Sequence, residues 1–279
     1  MKLILFILAA LPLFAQNYHK TEATLVKIME IIGKEEKGVY LRFGDGDVCL
    51  ANGLDDSNQY SIENLKLEMR KAFGLNGPNV LKCLCLNCRE IGYEEGMKPC
   101  AFEVDYGFCY EMLNGAFPFW GGPIRDVYSM TALAHAATHK QDLCIRFLKF
   151  LKRSPCTILV GNAKIPETVK ELLFGKQCVF IPAPSKNSYL EIDRIERECL
   201  EVARKHTGYQ VIVFSMGCSG RPLQYRLWNQ LDNVFLFDFG SLMDAVCGWD
   251  TRDWIYINRE VFENNRFVDL LYRELGSDE

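Results

Sequence analysis

Three stretches of the 279-residue chain gather polar side chains that could do chemistry: RFGDGD at 42–47, IPAPSKNSY at 181–189, and SMGCSGRP at 215–222 followed by FDFGSLMD at 237–244. In the first, Asp45 and Asp47 flank Gly46, so both carboxylates can turn toward one hard divalent cation that also contacts a diphosphate. Arg42 adds a planar fork suited to phosphate oxygens. A polar turn between flexible glycines is the alternative use of the same residues. In the third, Gly217-Cys218-Ser219-Gly220-Arg221 offers backbone N–H groups, a hydroxyl and an arginine to an anion, or else forms an ordinary strand-to-helix turn. It has neither the G-x-G-x-x-G spacing nor a Gly-Lys-Ser/Thr, which removes dinucleotide dehydrogenases and P-loop ATPases. Asn187, Ser188 and Tyr189 open a helix or contact a base and ribose.

Other clusters carry less. His135 and His139 lie four apart, as a metal pair would, but the Glu of a zinc-protease helix is absent and the alanine surroundings favour a packed helix. Cys83, Cys85 and Cys88 have metal-like spacing with no second Cys pair, and LKCLCL alternates as a strand does, so thiols or disulfides are the expectation.

These stretches need elements to hold them. Residues 22–33 place Leu25, Ile28, Ile31 and Ile32 on one helical stripe, and 61–73 repeat the pattern with Leu65, Met69 and Phe73. VYLRF (39–43) and NVLKCLCL read as strands. From residue 156 onward the alternation is regular: CTILVGN, QCVFIPAP, YQVIVFSMG and NVFLFDFG are strands, separated by helices at PETVKELLF, SYLEIDRIERECLEVARKH and SGRPLQYRLWNQL. Near-continuous apolar strands between amphipathic helices predict an α/β fold, a mainly parallel sheet covered on both faces, with ligands beyond the carboxyl ends of the strands. All three stretches fall at such ends.

Composition agrees with a globular enzyme-sized core: 49% hydrophobic, 24% charged, 12% aromatic. The net charge of −4, with no basic block, excludes the electrostatic footprint of a nucleic-acid binder. Lys2, the apolar run Leu3–Phe14 and Ala15 have the layout of a secretory signal peptide, so residues 1–15 are expected to be a cleaved leader or a short membrane tether. The run is too short to cross a bilayer, which takes about 20 residues. No linker interrupts residues 16–279, which read as one domain.

Taken in order, RFGDGD, IPAPSKNSYLEIDRI and SMGCSGRPLQYRL…FDFGSLMDA resemble the bacterial glycosyltransferases of the GT-D fold over about residues 38–247. The resemblance implies a Rossmann-like fold and a metal-dependent transfer of sugar from a nucleotide sugar, in particular a UDP sugar, to a glycan, protein or lipid acceptor. It gives Asp45 and Asp47 the metal (Mn2+ or Mg2+) and the diphosphate, Arg42 and Gly44 the shaping of that loop, Asn187 a nucleotide contact, and Ser219 and Asp238 positions lining the cleft; Arg221 is an anion contact by its own chemistry in the 217–221 turn. Catalytic candidates are Asp45, Asp47 and Asp238; Glu103 and Asp105 are further available acids. Two positions depart from the family: Asp47 stands for its usual Glu, and Ser241 for a frequent His. The competing expectation is a secreted, non-catalytic carbohydrate-binding or surface-interaction module on the same fold. A phosphohydrolase with Asp45 as nucleophile fits poorly, since the Asp-x-Asp-x-Thr form becomes Asp45-Gly46-Asp47-Val48-Cys49. A leader that exports the protein implies a lumen that supplies nucleotide sugars, or a tether that leaves the domain facing its donor.

Overall fold

A computed structural model describes residues 17–84, 115–122, 126–263 and 266–276. Its eight strands are β1 (Asn17–His19), β2 (Gly38–Phe43), β3 (Val80–Leu84), β4 (Asp126–Tyr128), β5 (Cys156–Asn162), β6 (Val179–Ala183), β7 (Gln210–Ser215) and β8 (Val234–Asp238). They form one sheet in the order β1-β4-β3-β2-β8-β7-β5-β6, and every pairing between them is parallel. The α/β parallel architecture read from the apolar strand runs is therefore the one observed.

Alternation explains why those strands are apolar throughout. Val39, Leu41 and Phe43 of β2 face one core while Tyr40 faces the other; Leu236 and Phe237 of β8 divide the same way. One face is covered by helices Thr21–Gly33, Ala132–His139, Gln141–Arg153, Glu167–Phe174, Leu242–Val246 and Arg266–Leu275. The other is covered by helices Asp45–Ala51, Glu63–Gly74, Ile192–Ala203 and Gly220–Trp228. Strands buried on both sides have no solvent face to make polar.

The chain leaves β2 toward the second face and leaves β8 toward the first, so the crevice between these neighbours is a topological switch point. Pairing of β2 with β8 stops at Tyr40 and Phe237, whereas β2 continues beside β3 to Phe43 and β8 beside β7 to Asp238. The two strands part there, at the carboxyl edge.

Three local expectations need correction or limits. RFGDGD is not a flexible loop after Phe43: Asp45 begins a helix, Asp45–Ala51, with Gly44 as its cap. Two carboxylates in a first turn complement the positive end of the helix, and Val48, Leu50 and Ala51 bury its other side. The helix read at PETVKELLF begins at Glu167, with Pro166 as its cap. Cys49, Cys83, Cys144, Cys199, Cys218 and Cys247 are free thiols, while Cys85, Cys88, Glu103, Asp105 and the leader lie outside the described residues. Among the described residues no helix is long and apolar enough to cross a membrane.

Candidate functional site

The parting of β2 and β8 exposes backbone groups that a ladder would otherwise satisfy, and one helix supplies the missing donors. Gln224, on the helix Gly220–Trp228, donates from Nε2 to Tyr40 O (3.0 Å) and Leu236 O (3.2 Å), bridging the last paired rung. One turn earlier, Arg221 Nε donates to Arg42 O at 2.5 Å, on the stretch of β2 that β8 no longer reaches. Residues three apart on a helix share a face, so one face of this helix is a wedge in the seam.

The wedge carries charge. Arg221 Nη1 lies 3.0 Å from Asp238 Oδ2 and also donates to Gly217 O; its Nη2 lies 3.4 Å from Asp47 Oδ2. Arg42 crosses the same seam, Nε donating to Asp238 Oδ2 at 2.9 Å and Nη1 to Met130 O at 3.0 Å. Asp238, 2% exposed, is thus held between two guanidiniums. Burial is the largest influence on Arg42 and Arg221 and works against their charge, but Asp238 together with other neighbours, Tyr40 beside Arg42 and Asp47 beside Arg221, raises both above the ordinary arginine value. Gly240, at φ +66°, is required here, because a Cβ would sit 1.6 Å from Arg42 Nη2.

Asp47 and Asp45 do not form a matched pair. Asp47 is 3% exposed and turns back as the third residue of its helix to accept the Gly44 N–H at 2.8 Å with Oδ2. Its Oδ1 is sealed from solvent with no hydrogen-bond partner among the described residues. Burial pushes this carboxyl up to about 6, against the pull of Arg221 and the Gly44 N–H. Asp45, two residues earlier, is exposed. The residues as arranged do not fit one cation between two carboxylates: one oxygen set is open and the other is enclosed and engaged. Among the described residues no group of three or more His, Cys, Asp or Glu side chains could hold a metal ion. His135 and His139 have rings 5.1 Å apart within a helix of the first face, as a packed pair.

Asn187 and Ser219 belong to a second cluster, joined to the first through residue 59, which sequence reasoning missed. Gln59 is 4% exposed, and its Oε1 accepts from Ser219 Oγ (2.9 Å) and the Tyr189 N–H (3.2 Å). Asn187, in the left-handed region at φ +52°, donates its N–H to Asn58 O and accepts the Tyr60 N–H on Oδ1, at 2.8 and 2.9 Å. Gln59 stands in a polar stretch, DDSNQYS, with no periodicity, so its only signal was that three strand-end loops had to meet somewhere. Arg42, Asp47, Arg221 and Asp238 therefore form one buried group, Ser219, Asn187 and Gln59 a neighbouring one, and Asp45 and Gly44 the rim. The hollows of about 660 and 840 Å³ that open elsewhere are lined by residues such as Arg146, Gln141 and Asp142 and contain none of these side chains.

With this geometry in place, the chain can be set beside solved structures. It is similar over 82% of its length to 83% of a glycosyltransferase (DUF1792) from Streptococcus sanguinis, with a TM-score of 0.61 and 16% identity. It is also similar to a domain of unknown function 1792 described as having a distinct glycosyltransferase fold, over 85% of this chain and 83% of that one, with a TM-score of 0.64 and 17% identity. The fold is that of the DUF1792 glycosyltransferases. No family model matches the sequence, and no curated protein matches it either. In this fold Ser241, where the resemblance led to His, is the cap of the helix Leu242–Val246 and accepts the Trp254 indole N–H on Oγ at 2.9 Å.

Proposed function

We propose that the protein is a glycosyltransferase that takes its sugar from a nucleotide sugar, a UDP sugar in particular, and passes it to a glycan, protein or lipid hydroxyl. The observation that carries this reading is the pair of guanidiniums, Arg42 and Arg221, fixed at the switch point of a glycosyltransferase fold. In such a transfer the bond between the anomeric carbon and the diphosphate breaks while the acceptor oxygen bonds to that carbon, and negative charge builds on the departing diphosphate. Fixed cationic groups and N–H donors at the strand ends oppose that build-up without having to reorganise. Asp238 supports this by holding both guanidiniums in place, and is itself 2% exposed. Of the three candidate carboxylates only Asp45 is open, so contact with a donor-bound Mn2+ or Mg2+, or with the acceptor proton, falls to Asp45.

The test is a thermal melt with Mn2+, with UDP, and with both. A ligand that binds only the native state raises the melting temperature, so a rise with UDP that grows when Mn2+ is added is the expected result. Asp45→Asn should remove the Mn2+-dependent part of that rise. No response to any nucleoside diphosphate would favour the non-catalytic carbohydrate-binding module instead.

A further inference from the structure

The helix Gln141–Arg153 carries an unusual mixture on its outer side. Its inner stripe is Leu143, Cys144, Phe147, Leu148 and Leu151, all buried. On the opposite stripe Ile145, Arg146, Lys149, Phe150 and Arg153 follow at helical spacing, so two half-buried apolar side chains stand among three cations. This stripe is one wall of the hollow of about 660 Å³, and the helix Arg266–Leu275 supplies another with Leu270, Arg273 and Glu274. Met29 of the helix Thr21–Gly33 completes the apolar part of the lining.

The lining sets four cationic side chains, Arg146, Lys149, Arg153 and Arg273, against two carboxylates, Asp142 and Glu274, in a chain whose net charge is −4. Glu274 is already shared: Lys149 Nζ lies 3.0 Å from its Oε2 and Arg273 Nε 3.3 Å from its Oε1. Arg146 is exposed, makes no hydrogen bond or ion pair with another described residue, and also lines the adjoining hollow of about 840 Å³ beside Lys140. A concave surface with an excess of one charge concentrates the field and draws counter-ions in. Met29, Ile145, Phe150 and Leu270 are each half-buried, and so keep apolar surface that a ligand can still cover. An inorganic anion would use the cations and leave these four idle, whereas a phosphate carried by an acyl-bearing group uses both.

We propose that this hollow receives the headgroup of an anionic phospholipid, and that the helices Gln141–Arg153 and Arg266–Leu275 form the face by which the protein docks on an anionic bilayer. The cations are attracted to the lipid phosphates, and the apolar side chains are covered by the carbons next to them. Residues 1–15, read from the sequence as a leader or tether, give the chain an encounter with a membrane on independent grounds. None of Arg42, Asp47, Arg221 and Asp238 lines the hollow, so this inference and the transferase reading stand or fall separately.

The experiment is co-sedimentation of the full chain with vesicles of phosphatidylcholine alone and of phosphatidylcholine mixed equally with phosphatidylglycerol, at low salt. It compares the wild type with Arg146→Gln and Arg273→Gln, one from each wall, and with Lys205→Gln, an exposed cation just after the helix Ile192–Ala203 on the opposite face of the sheet. Insertion by the apolar run Leu3–Phe14 is common to every arm, so the differences between arms are free of it. The wild type is expected to bind the phosphatidylglycerol vesicles more tightly than the neutral ones. Arg146→Gln and Arg273→Gln should each weaken that binding by about fivefold, the effect of one basic side chain near an anionic surface, and Lys205→Gln should leave it unchanged. Equal binding to both vesicle types overturns the proposal. So does a loss in Lys205→Gln as large as that in Arg146→Gln, which would make the attraction one of overall charge. Release of the wild type from the vesicles by inorganic phosphate, at an ionic strength where chloride releases none, would assign the hollow to a free phosphate group and overturn the lipid.

Discussion

The seam between β2 and β8 buries two guanidiniums against two carboxylates, whereas β3 buries the Lys82 ammonium against no carboxylate among the described residues. Lys82 is 4% exposed; its Nζ donates to Phe73 O and Gly121 O at 3.2 and 3.3 Å and sits 3.8 Å from the centre of the Trp120 ring. Arg42 and Arg221 are held charged by Asp238, while burial lowers Lys82 to about 7. Carbonyl oxygens and an aromatic face offset only part of what an ammonium loses on leaving water; an opposite formal charge at hydrogen-bond distance offsets much more. A guanidinium, whose ordinary value already lies far above the physiological range, keeps one charge state there, and a buried ammonium with no carboxylate beside it sits at the edge of two.

The contrast can be broken most sharply at Asp238. Asp238→Asn leaves two enclosed guanidiniums with only Asp47 to face, and the loss expected for breaking a buried ion pair is about 3–5 kcal/mol, measured by urea unfolding. A loss under about 1 kcal/mol would mean that the seam is wetter than its burial indicates. Gly240→Ala attacks the same cluster from its glycine, forcing a Cβ into the Arg42 guanidinium at a left-handed φ, at a cost of roughly 1–3 kcal/mol from the backbone alone. Its unfolding midpoint should fall less than that of Asp238→Asn.

Lys82 gives the opposite sign. Its folded value lies below the unfolded one, so the stability it contributes is present above the unfolded value and is lost as pH falls through about 7. Lys82→Met should therefore raise the melting temperature more at pH 6 than at pH 9, by the equivalent of about 2 kcal/mol or less. Equal gains at both values would place a counter-charge on Lys82. The smallest effect belongs to Asp47, whose folded value is raised to about 6, so its contribution is intact below the unfolded value and is lost as pH rises through about 6. Asp47→Asn should stabilise the protein more at pH 8 than at pH 4.5, on the order of 1 kcal/mol. No pH dependence of that difference would show that Arg221 already compensates the charge in full.

The apolar strand runs made the parallel sheet legible, because a strand covered on both faces must be apolar at successive positions, as VFLFD and QVIVF are. Strand ends made Arg42, Asp238 and the 215–222 turn legible as a shared edge. What escaped was the direction of individual side chains. Asp45 and Asp47 look equivalent in Gly-Asp-Gly-Asp, yet one turn of helix sends one to solvent and the other into the seam, so a change at Asp47 is not a surface change. Gln59 escaped because its partners, Ser219 and the Tyr189 N–H, lie 160 and 130 residues away. A single chain carries no mark of such a pairing.

The bond between Arg42 and Asp238 joins residues 196 positions apart, and this has a consequence during synthesis. A ribosome adding about 5–20 residues per second makes β2 long before β8 emerges, so through that interval Arg42 has no Asp238 to meet and the crevice has only one wall. The central strand of the sheet must wait, with one edge unpaired, for a strand made almost 200 residues later. Such long-range parallel pairing is slow and leaves sticky edges open while it is pending. The same residues that shape the crevice in the finished molecule are thus among those that stay longest without their partners as the chain is made.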